Sequence, residues 1–550
     1  MKKIVIVGGV AGGATAAARL RRLTEKDEII IFERGEYISF ANCGLPYYIG
    51  EVIQDRNKLL VQTVEGMAKR FHLDIRNLSE VTAINRDQKT VTVKNLRTGE
   101  EYEEAYDTLI LSPGARPMVP PIPGIEEANA LFTLRNIPDT DQIKAYVDQQ
   151  KPKSAVVIGG GFIGVEMAEN LTERGVEVTL VEMANQVMAP IDYEMAAIVH
   201  AHMKEHGVHL ILEDGVKAFE NNGRRIILNS GRTLETDMII LAIGVQPESQ
   251  LAKEAGLELG VRGTIKVNEC LQTSDPNIYA IGDVIEVKNY IHGFETFVPL
   301  AWPANRQGRL VADHIHGYDV KYNGTLGTSI AKIFDLTVAA TGNNEKVLKQ
   351  YGIPYEVVHV HPMSHASYYP NAAQMTLKLI FEKETGKIYG AQAVGKEGVD
   401  KRIDVIATAI KGGLTVWDLP DLELSYAPPF SSAKDPVNIA GYAATNILDG
   451  TVETVQWHEI DEIVANGGTL IDVRTKKEYE QGHMKGALNI PLDELRERLL
   501  EIPKDETIYV TCQVGLRGYL AARILNENGF RAKNVDGGYK LYSSVFCTNH

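Results

Sequence analysis

Two glycine-rich turns, each leaving an aliphatic strand and opening a helix, constrain this chain more than any other feature. The first follows Lys3–Val7: Gly8-Gly9-Val10-Ala11-Gly12-Gly13 leads into a helix through Leu23, and Glu28–Phe32 reads as the next strand. The second follows Ser154–Ile158: Gly159–Gly164 opens a helix to about Arg174, and Glu177–Glu182 reads as a strand. Strand-length apolar runs alternating with helical stretches are βαβ units. Two such openings predict two dinucleotide-binding, Rossmann-like lobes. Backbone N–H groups at a helix start bind pyrophosphate, and glycines let the phosphates approach. Gly159, Gly161 and Gly164 match G-x-G-x-x-G in the strand-to-helix context that the fingerprint requires. Glu182 can accept from both ribose hydroxyls and would repel a 2′-phosphate, and no arginine follows in Met183-Ala184-Asn185-Gln186. NADH is therefore favoured over NADPH. In the first turn Gly8, Gly9, Ala11, Gly12 and Gly13 are the candidate contacts, although Val10 replaces the middle glycine. Glu33 ends the following strand and would hold an adenosine ribose.

The 550 residues allow three or four domains at about 150 residues each. Gly114–Gly124 is rich in proline and glycine and reads as a crossing between lobes; a second crossing falls near Gly244–Pro247, after the strand Met238–Ala242. From Tyr322 to Thr445 the character changes. Met375–Phe381 precedes a helix, Gly398–Lys411, with no phosphate-binding loop, which indicates an α+β domain without its own nucleotide. Ile447–Gln456 reads as a linker. A compact α/β unit follows, with strands Thr469–Val473 and Thr507–Thr511 and a helix from Gly518 to about Asn528. The expected segments are 1–113 and 246–324 for the first lobe, 114–245 for the second, then 325–446 and 455–550. The net charge of −15 argues against nucleic acid or anionic membrane as the main partner. No run of about 18 apolar residues is present. Four cysteines with no C-x-x-C pair argue against a disulfide framework or a zinc site, so no metal is expected. The N-terminal apolar run is a short strand, not a signal peptide, and a cytoplasmic location with reduced thiols is expected.

Thr273-Ser274-Asp275-Pro276-Asn277-Ile278-Tyr279-Ala280-Ile281-Gly282-Asp283 resembles the second FAD motif of two-dinucleotide-fold flavoproteins, in which the final aspartate, here Asp283, hydrogen-bonds the ribityl chain. With the first turn and Glu33 it points to FAD. Ser39-Phe40-Ala41-Asn42-Cys43-Gly44-Leu45-Pro46 matches the S-F-x-x-C-G segment of the single-cysteine branch of the pyridine nucleotide–disulfide oxidoreductases. Over essentially its whole length the chain resembles the coenzyme A-disulfide reductase–rhodanese fusions, also described as NADH-dependent persulfide reductases. The resemblance implies two Rossmann-like lobes, an α+β dimerisation domain and a C-terminal rhodanese α/β domain. It also implies reduction of coenzyme A disulfide, coenzyme A persulfide or polysulfide by NADH through FAD. Dithiol members carry a second cysteine; here Cys43 stands alone and would form a mixed disulfide or persulfide with the substrate. Asn42 is expected near a helix cap, and a helix N-terminus with the flavin ring would lower the thiol pKa.

Arg19 and Arg22 share a helix face, while Arg21 points elsewhere. By resemblance Arg19, Arg22, Ser39 and Asn42 hold coenzyme A, with Phe71, beside Lys69 and Arg70, and Asn305 as further contacts. Tyr368 and Tyr426 match two tyrosines that reach the active-site sulfur from the partner subunit, which implies a homodimer built mainly through residues of about 325–445; a phenol there could donate to a leaving thiolate. Asp472-Val473-Arg474, Glu478-Tyr479, Gly482-His483 and Gly486–Pro491 resemble a rhodanese opening. The six-residue loop Cys512-Gln513-Val514-Gly515-Leu516-Arg517, between strand and helix, would wrap N–H groups around a sulfur and favour a thiolate, then a persulfide. Arg517 adds a cation at its rim. A cysteine phosphatase, with its longer loop, is the alternative for this unit. For the whole chain the alternatives are an NADH oxidase or peroxidase, which would have a histidine at Val10 and would lack the tail and tyrosine pair, and a non-enzymatic redox sensor or sulfur-carrier scaffold. Cys270 and Cys547 have no motif around them.

Overall fold

The structure, a computed structural model, describes residues 1–546; Cys547 lies outside them. The chain divides into two compact units. The first comprises Met1–Ala184 and Gly207–Gly327, and the second Asn185–His206 with the chain from Thr328 onward.

The first unit holds two five-stranded parallel sheets. One runs in the order Ile278–Ala280, Thr108–Leu111, Lys3–Val7, Glu28–Glu33, Asp74–Asn77. The other runs His209–Ile211, Glu177–Val181, Ser154–Ile158, Met238–Leu241, Leu131–Phe132. Their central strands are rich in Val, Ile and Leu and are largely buried, as covered parallel sheets require. The two crossings expected from sequence pair with each other, Ala115–Pro117 running antiparallel to Val245–Pro247. The helix Tyr193–Glu205, which follows the second lobe's ribose-binding strand in sequence, groups with the second unit.

That unit contains a five-stranded antiparallel sheet in the order Ser329–Ile333, Leu336–Gly342, Ile388–Gly395, Thr376–Phe381, Glu356–Val360. The helices Val399–Lys411 and Pro436–Leu448 pack on it. It also contains a parallel sheet in the order Glu453–Val455, Arg531–Val535, Thr507–Thr511, Thr469–Asp472, Leu488–Asn489. Ile447–Gln456, read as a linker, is corrected here. The helix runs to Leu448, and Glu453–Val455 is an edge strand of the C-terminal sheet. Val452 is buried in that domain's core, so only a short turn connects the helix Pro436–Leu448 to the C-terminal sheet. The helix after the cysteine loop also begins earlier than expected, at Leu516, and ends at Glu527.

Candidate functional site

The two glycine turns of the first unit share one geometry. Gly159 has φ +108°, and a Cβ there would sit 2.2 Å from the Ala242 carbonyl oxygen. A Cβ on Gly164 would sit 1.9 Å from the Gly159 carbonyl oxygen, so the helix starts against the turn only because both are glycine. Gly8 and Gly13 repeat the pattern. Val10, the departure from the fingerprint, is the N-cap residue of the helix Ala11–Leu23 and makes no side-chain cap. The acidic ends of the second strands are fixed by the turns they face. Glu33 accepts from the N–H groups of Gly9 and Gly35, each at 2.8 Å. Glu182 accepts from Gly160 at 2.6 Å and Ala184 at 2.8 Å. Asp283 follows the strand Ile278–Ala280, and burial pushes its carboxyl up to about 6 against the pull of Arg135.

Cys43 lies in a single 3-10 turn, Asn42–Gly44, whose cap residue is Ala41; Asn42 supplies no side-chain cap. The helix that follows, Leu45–Ile49, has five residues. Arg174, just past the helix Phe162–Glu173, donates to the Ile49 carbonyl at 2.9 Å and so ties that short helix to the second lobe. Cys43 itself is open to solvent. Its thiol pKa is nevertheless raised, first by the protein packed around the sulfur, then by the carboxylates of Glu166 and Asp283. The expected lowering is thus not supplied by the protein's own groups: one 3-10 turn has too few aligned peptides to act as a helix N-terminus, and the nearby charges are negative. Sequence reasoning passed over Glu166. It sits on the helix opened by the glycine turn, and burial with the neighbouring Glu169 pushes its carboxyl up to about 7.

The residues expected around coenzyme A are partly assembled. Asn305, on the helix Ala301–Ile315, accepts from the Thr15 hydroxyl at 2.7 Å. Thr15, Arg19 and Arg22 follow one another along the same face of the helix Ala11–Leu23. The Nε of Arg19 is committed to Asp313 at 2.6 Å, whereas Arg22 is exposed and bonds only back to the Ala18 carbonyl. Arg21 is buried and donates to the carbonyls of Phe71 and His72, at 2.9 and 2.8 Å. It therefore positions Phe71 and does not face the proposed pocket. Ser39 holds a left-handed backbone, φ 44°, and donates its N–H to Gly9 at 3.0 Å, next to the first glycine turn.

In the second unit the phenols of Tyr368 and Tyr426 meet at 3.1 Å. Tyr368 is 76% exposed, and Tyr369, Trp417 and Phe430 are also open to solvent. Both tyrosine loops hang on Arg402, another residue the sequence reading missed. Its buried guanidinium donates to the Ser364 carbonyl at 2.9 Å, to Ser431 Oγ at 3.2 Å and to Asp435 Oδ2 at 3.1 Å.

Cys512 is fully buried, and its Sγ accepts from the Gly515 N–H at 3.1 Å. The loop is braced from the start of the last helix, where Tyr539 N–H donates to the Cys512 carbonyl at 2.7 Å and Lys540 N–H to that of Gln513 at 2.9 Å. Arg517 is not a bare cation. It forms a two-pronged pair with Glu478 at 2.9 and 2.6 Å, and its hydrogen bonds pull that carboxyl down to about 2. Arg474, also buried, reaches Gln513 Oε1 at 3.0 Å and stacks on Tyr539. Cys270 is half-buried and its thiol faces the Val320 carbonyl at 3.8 Å.

Two dinucleotide turns, an exposed cysteine whose thiol feels carboxylates from both lobes, and a sulfur-cradling loop together define a nucleotide-dependent thiol–disulfide oxidoreductase. Residues 2–308 match the pyridine nucleotide-disulphide oxidoreductase family, 328–436 its dimerisation domain and 456–544 the rhodanese-like domain. The chain is 42% identical over 446 residues to coenzyme A disulfide reductase of Staphylococcus aureus strain JH9, covering 81% of this chain and all of that protein. Reduced CoADR-RHD from Bacillus anthracis superimposes with a TM-score of 0.99 at 71% identity, over 99% of this chain and 98% of that one. A NAD-dependent persulfide reductase from A. fulgidus superimposes at 0.92 with 38% identity, over 98% and 100%. The chain belongs to the pyridine nucleotide–disulfide oxidoreductase family and carries a rhodanese-like domain at its C-terminal end. The family uses FAD and a nicotinamide dinucleotide. The residues fit both: the glycines let each helix start close against its turn, nothing lies within 4 Å of where a Cβ on Gly161 would sit, and Glu33 and Glu182 are tied by backbone N–H groups beside the two turns, where a carboxylate suits a ribose. Among the described residues no helix is long and apolar enough to cross a membrane.

Proposed function

We propose that this enzyme reduces coenzyme A disulfide, coenzyme A persulfide or a polysulfide with NADH through Cys43, and that Cys512 handles the sulfane sulfur. The observation that carries the reading is Cys43, the one exposed cysteine among the described residues, whose thiol feels the carboxylates of Glu166 and Asp283, one from each nucleotide lobe. FAD, when bound, supplies the two-electron link between nicotinamide and sulfur. Gly8, Gly9, Ala11, Gly12, Gly13, Glu33 and Asp283 would hold it; Gly159, Gly161, Gly164 and Glu182 would hold the nicotinamide nucleotide. Glu182, locked by two backbone N–H groups and followed by no arginine, favours NADH.

The Cys43 thiolate attacks one sulfur of the substrate. A Cys43–sulfur bond forms, the substrate S–S bond breaks, and the other half leaves as a thiolate. With a carboxyl near 7, Glu166 is a proton donor poised at neutral pH for that thiolate. Two electrons and a proton drawn from NADH then cleave the mixed disulfide and return the Cys43 thiolate. Arg22 and Asn305 are suited to the coenzyme A phosphates and polar arm. The exposed phenol pair of Tyr368 and Tyr426 suits a site completed by the neighbouring subunit, in a homodimer formed through residues of about 325–445.

The test is Cys43→Ser, assayed with NADH and NADPH against coenzyme A disulfide, coenzyme A persulfide and oxygen. Loss of disulfide and persulfide reduction with FAD retained, and a higher kcat/KM for NADH in the parent enzyme, are expected. Reduction near the parent rate in the variant would assign the chemistry to another thiol. A dominant oxygen-consuming activity would assign the oxidase function instead.

A further inference from the structure

Among the described residues outside the redox sites, one cluster of side chains has the chemistry of a metal centre. His202 and His206 lie four residues apart at the end of the helix Tyr193–Glu205 and so face the same way. Asp335 is presented to them by the tight turn between the strands Ser329–Ile333 and Leu336–Gly342, where Phe334 takes a left-handed backbone with φ 56°. One imidazole nitrogen from each histidine and one carboxylate oxygen lie within 4.8 Å of one another. Nε2 of His202 is 2.8 Å from Asp335 Oδ1, and Nε2 of His206 is 3.8 Å from the same atom. Tetrahedral zinc with bonds near 2.0–2.1 Å places its ligand atoms about 3.3 Å apart, between those two separations.

Two further observations point to a ligand. His202 is 93% buried, and its Nε2 has no hydrogen-bond partner; it is near enough to Asp335 for an ion pair but lacks the alignment of a hydrogen bond. His206 lies with Nδ1 2.9 Å from the His202 carbonyl. That bond requires the proton on Nδ1 and leaves the Nε2 lone pair for a cation, the usual backing of a metal-bound histidine. The His206 ring is also stacked on Phe334 at 4.4 Å. Lys396 pairs with the other carboxylate oxygen, Oδ2, at 2.6 Å and so leaves Oδ1 facing the imidazoles. The contrast with a second carboxyl-rich cluster, Asp192, Glu194 and Glu345, is informative. There the Lys378 ammonium sits among all three carboxylates and takes the place a cation would fill.

We propose that His202, His206 and Asp335 form a binding site for a divalent transition-metal ion, with zinc as the matching ion, in which the metal clamps the end of the helix to the hairpin turn. Two imidazoles and one carboxylate leave a fourth position for water. The test uses the full-length FAD-loaded enzyme, stripped with chelator and titrated with zinc chloride and, separately, cobalt(II) chloride. One zinc per chain is expected at a site whose affinity falls at least tenfold in His206→Gln and in Asp335→Asn. An upward shift in Tm on adding zinc is expected in the parent and not in either variant. NADH-dependent turnover of the metal-free variants should match that of the metal-free parent, which also shows that they fold. The bound cobalt should give the visible d–d bands of a nitrogen- and oxygen-ligated ion. Equal zinc affinity in parent and variants would overturn the proposal. So would a thiolate-to-cobalt charge-transfer band, because it would place the ion on cysteine. If either variant fails to retain FAD, the cobalt spectrum of the parent alone decides between the two outcomes.

Discussion

Burial is the first cause of the raised pKa of the Cys43 thiol, and the carboxylate of Glu166 adds to it. Glu166 carries a partly protonated carboxyl near neutrality. Replacing it by glutamine removes a negative charge without removing volume. Cys43 in Glu166→Gln is therefore expected to be alkylated by iodoacetamide severalfold faster than in the parent between pH 7 and 8, because more of it is thiolate. Turnover should fall if the proton on Glu166 is used by the leaving thiolate. An unchanged alkylation rate would show that packing alone sets the thiol pKa. The residues visible in sequence at this scale were those within contiguous motifs: Cys43, Glu33, Glu182, Asp283 and Cys512 each sit beside a turn whose glycines announce it. Glu166 follows Gly164 by only two residues, yet nothing local marks it. Its burial and its effect on Cys43 arise from the packing of the helix Leu45–Ile49 against the second lobe.

At the scale of elements, the two tyrosine loops show how a side chain far along the chain sets loop geometry. Tyr368 and Tyr426 were legible only through the family resemblance, and Arg402, which ties Ser364 to Ser431 behind the two loops, braces their 3.1 Å approach. Arg402 and its partner Asp435 are both almost wholly buried. Arg402→Met keeps an unbranched apolar stem, removes the guanidinium and strands the carboxylate. Breaking a buried pair from one side costs about 3–5 kcal/mol, and urea unfolding should report a loss of that order. Arg402→Lys should recover part of the charge term but not the tyrosine geometry, since an ammonium cannot span Ser364, Ser431 and Asp435 in a planar fork. The misread segment Ile447–Gln456 has the opposite lesson. Glu453–Val455 is three residues long, too short for an alternating pattern to stand out, and it becomes a strand only because Arg531–Val535 lies beside it.

At the scale of the whole molecule, the second unit is held together by charges that the sequence could not reveal, because they join residues far apart. His359 is buried between Asp536, at 2.6 Å from Nδ1, and Glu194, at 3.0 Å from Nε2. Asp536 precedes the Gly537-Gly538 turn that abuts the Cys512 loop, and His361 contacts the Gly537 carbonyl at 2.9 Å. Burial alone would lower the His359 pKa; the two carboxylates overcome it and hold the value up at about 9. A folded-state pKa raised above the unfolded one gives stability that is complete below about pH 6.5 and is lost as pH rises through about 9. The size is on the order of 3 kcal/mol. Tm of the parent should therefore decline between pH 7 and pH 10, and His359→Gln should lie lower with a flatter profile. Parallel profiles would assign the pH dependence to other groups.

The fused rhodanese-like domain raises the question of whether its cysteine serves Cys43. Cys512 is fully buried, with one backbone N–H on its sulfur and an arginine at the rim already paired to Glu478. On the proposed reading a persulfide formed there is collected by a mobile thiol, and coenzyme A, whose flexible arm ends in one and for which Arg22 and Asn305 are the proposed contacts, is the proposed carrier. The proposed sequence keeps every sulfur accounted for. A sulfane donor transfers one sulfur to the Cys512 thiolate, and the donor leaves as its anion. The coenzyme A thiolate then takes that outer sulfur, regenerating Cys512 and forming coenzyme A persulfide. Cys43 removes the outer sulfur in turn, releasing coenzyme A, and two electrons from NADH release hydrogen sulfide. Having both sites on one chain raises the effective concentration of the carrier's destination. Cys512→Ser separates this relay from two independent activities sharing a chain. With preformed coenzyme A persulfide the variant should turn over at near the parent rate. With a bulk sulfane donor and catalytic coenzyme A, sulfide release should fall at least tenfold. Equal loss on both substrates would make Cys512 a structural requirement of the reductase, and no loss on either would mean that sulfur reaches Cys43 without it.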